Sequence, residues 1–252
     1  MQKPDPHKSI TSSFDETLSS VISIFFRIRN EINAIDSNQV VNYLNTLQRL
    51  PDDMKPVVRK FMDHGWFISN EMGLRDWQEL SRLINEEQFE KVEAKMIELV
   101  SSEAEKIIDR AATRFPSRNS VLNSALSAHN LELYDLSVPV LLIQTEGMCL
   151  ELFGKQLYAK DKGIPKIKPE IDALIDGGLD EVIFQPLRET HGLQASEDYR
   201  KQWPDALNRH EILHGKVVDY GTRINSLKTL SFLDYFVTFV CSNKRLPIDD
   251  NS

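Results

Sequence analysis

Cysteine is nearly missing from this chain: Cys149 and Cys241 are the only two, far apart and each inside an apolar helical pattern. That scarcity argues against a disulfide framework or a thiolate metal site and leaves buried free thiols as the expectation. Glycine is sparse, at 10 residues in 252. Runs that alternate apolar and polar residues are almost absent, so no sheet is expected. No repeat of fixed period is found. Nor does any run approach the ~20 apolar residues that cross a bilayer, since Val21–Phe26 and Val138–Ile143 are short and flanked by polar residues. The opening segment, Met1–Ser13, is polar and proline-bearing and lacks the apolar centre of a signal peptide. These absences predict a cytoplasmic protein with no membrane partner.

Positive charge is also in short supply. A formal net charge of -8 weighs against a grip on nucleic acid by the whole surface, which normally leaves a basic footprint. A local grip is still open. Between Arg188 and Lys228 the basic residues Arg188, Arg200, Lys201, Arg209, Lys216, Arg223 and Lys228 slightly outnumber the acidic Glu189, Glu197, Asp198, Asp205, Glu211 and Asp219.

What the chain has in abundance is helical patterning. Ser13 and Glu16 form a capping box ahead of Leu18, Val21, Ile22, Phe25, Ile28 and Ile32 at helical spacing, which predicts a long helix to about Ala34. Ser37 caps a second, and Pro51 opens a third that stops near Gly65. Helices are predicted next over Arg75–Ile84 and Glu86–Ala112, the latter with an acidic, solvated outer face. Phe115-Pro116 is the candidate boundary, because the residue before proline is steered out of helix. Beyond it come Ser117–Glu132, then Ser137–Phe153 with Pro139 tolerated in the first turn, and an exposed link over Tyr158–Pro169. Helices over Lys168–Asp176, Leu179–Leu187 and Trp203–Leu213 follow, with a last apolar one from Asn225 or Ser226 to Cys241. The expectation is an all-α helical bundle: an N-terminal helical region, 14–112, and a second helical domain, 115–245.

Chemistry concentrates in Asn208-Arg209-His210-Glu211-Ile212-Leu213-His214-Gly215, which parses in two ways. Read from Arg209, it joins a permanent cation to an imidazole five residues on. That suits metal-free cleavage of an RNA phosphodiester: His214 moves protons near neutral pH and Arg209 holds the phosphorane oxygens. One histidine cannot be base and acid at once, so His210 or a second subunit must supply the other role. Read from His210, the segment is His-Glu-x-x-His, two imidazoles one turn apart that suit Zn²⁺ with Glu211 activating a water. Against that parse, Arg209 sets a fixed cation beside the first ligand, and with no histidine after His214 a third ligand has to be an acidic residue such as Asp219 or Asp234. Arg59 and His64 repeat the arginine-to-histidine spacing, also before a glycine; ordinary helix C-capping accounts for that pair. His129, His191 and the three tryptophans, Trp66, Trp77 and Trp203, read as packing residues.

The run Leu207-Asn208-Arg209-His210-x-Ile212-Leu213-His214-Gly215, with Asp219-Tyr220-Gly221-Thr222 and Asn225-Ser226-Leu227-Lys228 after it, resembles the C-terminal end of HEPN-superfamily proteins of bacteria and their mobile elements. The upstream run Arg118, Leu122, Ala125, Ala128-His129, Tyr134, Ser137-Val138-Pro139, then Gln144-Thr145-Glu146-Gly147 resembles relatives carrying the same tail. The likeness spans about 115–239 and is poor over 155–204. It implies an all-α bundle paired as a dimer and a metal-independent ribonuclease of toxin or phage-defence systems. RNA would be the substrate, no cofactor would be needed, and an inhibitor or defence partner protein would be its counterpart. By position, Arg209 and His214 match the catalytic pair and His210 the polar residue after arginine. Glu146 resembles an acidic residue that orients the arginine, and Asn208 and Tyr220, inside the matching runs, are auxiliary candidates. Lys216 stands where a subset with a nucleotidyltransferase partner carries tyrosine, so such a partner is not implied. Some members of the superfamily are binding scaffolds without catalysis, which is the alternative reading; the zinc metalloprotease is third. The dimer expectation rests further on the last helix, whose Phe232, Leu233, Phe236, Val237 and Phe239 are rich in apolar surface.

Overall fold

The computed structural model describes residues 54–69, 71–175, 178–203 and 206–241. The two helices expected before residue 51 lie outside them. The described chain is α-helical apart from a two-stranded hairpin. In order it contains α1 (54–63), α2 (Leu74–Asn85), α3 (Phe89–Arg114), α4 (Asn119–Asn130), α5 (Tyr134–Phe153), the strands β1 (Lys160–Asp161) and β2 (Ile164–Pro165), α6 (Lys168–Asp172), α7 (Leu179–Ile183), α8 (Gln185–Arg188), α9 (Arg209–Leu213) and α10 (Arg223–Tyr235). Short 3-10 turns occupy Gly192–Gln194 and Glu197–Gln202, and α10 runs on through a π-helical turn, Phe236–Val240.

α10 is the buried axis of the fold, packed on α3 and α5. Leu227, Leu230, Phe232, Leu233, Tyr235 and Phe236 are all fully buried, each large side chain contributing roughly 1.5–3 kcal/mol on leaving water. Thr222 caps the helix by accepting from the Asn225 amide at 3.1 Å, so it begins slightly ahead of the expected Asn225 or Ser226. The apolar surface assigned to self-association is therefore spent inside the protomer. Phe67, from the segment after α1, packs on Phe232 at 4.6 Å between ring centroids, so the core continues across the Phe115-Pro116 joint. Cys149 and Cys241 are buried and free.

Several residues picked out by the family likeness turn out to fasten helices together. Arg118 donates to Gln144 at 2.9 Å and to Glu151 at 3.1 Å, tying the start of α4 to α5. Gly147 leaves room for that guanidinium, since a Cβ there would come within 2.5 Å of Arg118 Nη1. His129 Nδ1 and Ser137 Oγ each lie 2.7 Å from Ser226 Oγ, which joins α4, α5 and α10 at a satisfied interior histidine.

α5 departs from expectation twice. It begins at Tyr134, so Pro139 falls in its second turn and not its first. Proline there removes the amide that would serve the Asp135 carbonyl, and Tyr220 Oη donates to that oxygen at 3.2 Å. α5 is also long and apolar enough to span a bilayer by length and composition, contrary to the reading of Val138–Ile143 as a short run; half of it is buried in the core, which accounts for its apolarity. The supposed exposed link over 158–169 folds as the hairpin, with Lys162 and Gly163 both at positive φ, 49° and 82°. That is the geometry a two-residue hairpin turn demands. Leu157, Tyr158 and Ile167 around it are buried.

Tyr220→Phe should lower unfolding stability by about 0.5–1 kcal/mol, the low end for a net hydrogen bond, because the pair is reached by solvent. In a Pro139→Ala background residue 139 recovers its amide, and the same substitution should then cost close to nothing. Urea titration of the four variants tests this; an equal cost in both backgrounds would remove Tyr220 from this role.

Candidate active site

The helix expected over Trp203–Leu213 is confined to α9, Arg209–Leu213, because Asn208 starts it. Asn208 is 3% exposed, and its three hydrogen bonds are all spoken for. Its Oδ1 accepts from the Glu211 amide at 3.0 Å, capping the helix, while Nδ2 donates to the Gly192 and Ala195 carbonyls at 2.9 Å each. This auxiliary candidate therefore positions; it joins the 192–195 turn to the start of α9. Gly192 permits the close approach, since a Cβ there would lie 2.3 Å from that of Ala206.

Between these pieces and the hairpin lies a cavity of about 230 Å³, lined by Tyr158, Lys160, Leu193, Gln194, Ala195, Ser196, Arg209 and His210. Arg209 is half-buried, with Cζ 4.5 Å from the centroid of the Tyr158 ring, a cation–π arrangement that stabilises by roughly 0.5–2 kcal/mol. Its Nε has no hydrogen-bond partner among the described residues. Glu146, from α5, accepts from the Tyr158 amide at 3.2 Å and lies within electrostatic reach of Arg209. Burial pushes its carboxyl up, against the opposing pull of Arg209 and of the Tyr158 and Leu157 amides. Lys160 is pushed down to about 8, first by burial and then by the charge of Arg209.

The two imidazoles are placed differently. His210 lines the cavity, whereas His214 is the exposed C-cap of α9 and meets the site through His210, with ring centroids 4.4 Å apart. Arg209 and His214 do not share a wall, because five residues of helix turn them well apart. Tyr220 is engaged at the start of α5 and does not line the cavity. Tyr158, Lys160 and Gln194 do, and sequence reasoning passed over all three. The only local signal for two of them was the Lys162-Gly163 turn that folds the hairpin.

For the zinc parse, Glu211 accepts from Arg200 Nε at 2.8 Å. Asp234, one suggested third ligand, is instead buried against Arg110 and Ser69, each at 2.7 Å. Among the described residues no three His, Cys, Asp or Glu side chains converge as a metal-ligating group.

A larger cleft, about 600 Å³, is lined in part by Asp63, His64, Glu93, Trp203, Asn225 and Lys228. Size favours it, but its charges are already matched: Lys228 pairs with Glu93 at 3.2 Å and Asp63 accepts from Trp203 Nε1 at 2.6 Å. Arg59 is held by Asp63 and Glu189, and His64 stacks on Phe89 with centroids 4.2 Å apart, its pKa lowered by burial and by Lys228. The repeated spacing is thereby accounted for by packing.

Compared with family models, with curated proteins and with solved structures, the chain matches none.

Asn208→Asp keeps the capping oxygen but sets a carboxylate against two carbonyls. It should destabilise by about 2–3 kcal/mol, as Asn208→Ala should, while Asn208→Gly or any cap-preserving change cannot restore the lost donors. Denaturant unfolding measures it; a loss under 1 kcal/mol for Asn208→Asp would show that the clamp carries little weight.

Proposed function

We propose that the chain is a metal-independent endoribonuclease of a toxin or phage-defence type. Arg209 holds the scissile phosphate and the His210–His214 pair moves protons. The 2'-hydroxyl oxygen bonds to phosphorus as its proton passes to an imidazole; the bond from phosphorus to the 5'-oxygen breaks as that oxygen takes a proton, leaving a 2',3'-cyclic phosphate. The observation that carries the reading is Arg209 Nε, buried at a cavity wall with no partner among the described residues, beside an imidazole of the same cavity. Arg110 Nε is likewise unmatched, but Arg110 is held by the buried Asp234 at 2.7 Å, whereas no ion pair to Arg209 is found among the described residues; the alternative of a non-catalytic scaffold leaves that cation without a task. In a toxin role the partner would be an inhibitor protein that covers this opening.

Pairing of two copies belongs to the same proposal, on a different surface from the last helix. Leu136, Ile143 and Leu150 are 54%, 49% and 49% exposed. Spaced by seven residues on α5, with Val140 between them, they form a coiled-coil-type seam. Leu136 and Leu150 lie seven residues either side of Ile143, so a second copy lying antiparallel sets Leu136 against Leu150 and Ile143 against itself, as a two-fold interface requires. Ile143→Glu should convert a dimer to monomer in light scattering at micromolar concentration; a wild-type protein that is monomeric there removes the pairing.

Arg209→Ala should cut RNA cleavage by roughly 10²–10³-fold, the usual loss when a transition-state charge partner is removed. His210→Ala and His214→Ala should each lose orders of magnitude, His64→Ala none. Cleavage should persist in EDTA and Glu211→Gln should change it modestly. Stoichiometric zinc in the purified protein, with activity lost in Glu211→Gln, would overturn the nuclease in favour of the metalloprotease.

A further inference from the structure

Buried polar side-chain atoms without a hydrogen-bond partner are costly and uncommon in folded proteins. Four such atoms, judged among the described residues, belong to residues that line one cavity: Tyr158 Oη, Lys160 Nζ, Gln194 Oε1 and Arg209 Nε. Three are donors and two of these carry positive charge. A lysine and an arginine brought to one partly buried space repel each other, and among the described residues Glu146 is the carboxylate that interacts electrostatically with Arg209. Water could serve the hydroxyl, but two confined cations call for an anion.

We infer that this cavity is an oxyanion pocket for a phosphate group, in which Lys160 is a second cation beside Arg209 and Tyr158 Oη a neutral donor. The inference rests on the nuclease reading only for the source of the phosphate, an RNA backbone; the free inorganic ion offers the same chemistry. At about 230 Å³ the space is smaller than the 300–1,000 Å³ of pockets for whole small molecules. It suits a phosphate with part of its ribose, not a stacked base. Leu193 and Ala195 supply apolar wall, and Gln194 Oε1 is an acceptor available to a ribose hydroxyl. Charged and titratable groups around Lys160 are Arg209 and His210 on α9, Glu146 on α5, the phenol of Tyr158, and His191, which burial pushes down to about 3 and so keeps neutral. The charge of the lysine itself changes just above neutral pH. A bound anion favours its protonated form, so affinity is full below about pH 8 and falls as pH rises through it.

The test uses the full chain, with inorganic phosphate, sulfate, and a dinucleotide whose 2'-hydroxyl is replaced by hydrogen so that it cannot be cut. Calorimetry should show saturable binding of phosphate and of the dinucleotide. Lys160→Gln and Arg209→Ala should each weaken it at least tenfold. Sulfate, whose charge is constant from pH 7 to 9, should bind several-fold more weakly at pH 9, and Lys160→Arg should abolish that drop. Wild-type protein that binds none of the three ligands overturns the pocket, as does a Lys160→Gln variant, folded by circular dichroism, that keeps wild-type affinity. If the pocket passes and RNA is never cut, the nuclease reading fails alone. Cleavage at the wild-type rate by Lys160→Gln sinks the pocket and leaves that reading standing.

Discussion

The primary amide of Asn208 holds the site together. One side chain starts α9 through its oxygen and grips the 192–195 turn through its nitrogen, so two of the cavity's walls are set by a single planar group. Such a group cannot adjust to one partner without leaving the others, and its burial makes each unmet bond expensive. Arg209 follows directly in sequence, and its direction into the cavity is inherited from where Asn208 lets the helix begin. The tight contact of Gly192 with Ala206 belongs to the same constraint, because any side chain at 192 would push the two segments apart.

Charge matching separates these two openings better than their size does. The larger cleft answers its own polar groups with Lys228–Glu93 and Asp63–Trp203, so a ligand there would displace existing partners. At the smaller cavity Arg209 has an aromatic face and a distant carboxylate, and Lys160 holds its proton less firmly than an ordinary lysine. Two cations stand close there, and among the described residues neither Lys160 Nζ nor Arg209 Nε has a hydrogen-bond partner, an arrangement that costs stability unless something anionic offsets it.

Resemblance in sequence does not sort positioning residues from reactive ones, and here many of the matching positions are positional. Arg118 bridges α4 to α5, His129 and Ser137 meet at Ser226, Asn208 caps, and Tyr220 answers a carbonyl that Pro139 leaves unserved. Each is polar and sits where an unmet hydrogen bond would be costly, which is reason enough for its chemistry. Of the matching residues, Arg209 and His210 line the cavity and His214 stands beside His210, with ring centroids 4.4 Å apart.

Sequence alone determined what depends on neighbours along the chain. Helical periodicity and proline and glycine punctuation marked most of the described helices to within a few residues, and two cysteines in apolar patterns marked two buried thiols. It also located the Arg209–His214 segment, because that motif is contiguous. Only the tertiary structure decided which surfaces were already used. The last helix and α5 both read as apolar, yet α10 is consumed by the core while α5 keeps Leu136, Ile143 and Leu150 exposed; amphipathic patterning records that a face is buried, not what covers it. The meeting of Arg209 with Tyr158 and Lys160 was equally out of reach, since those residues come from the start of a hairpin and the residues just before it, far upstream. Contacts between distant segments arise from packing, which leaves no periodic trace in the order of the residues.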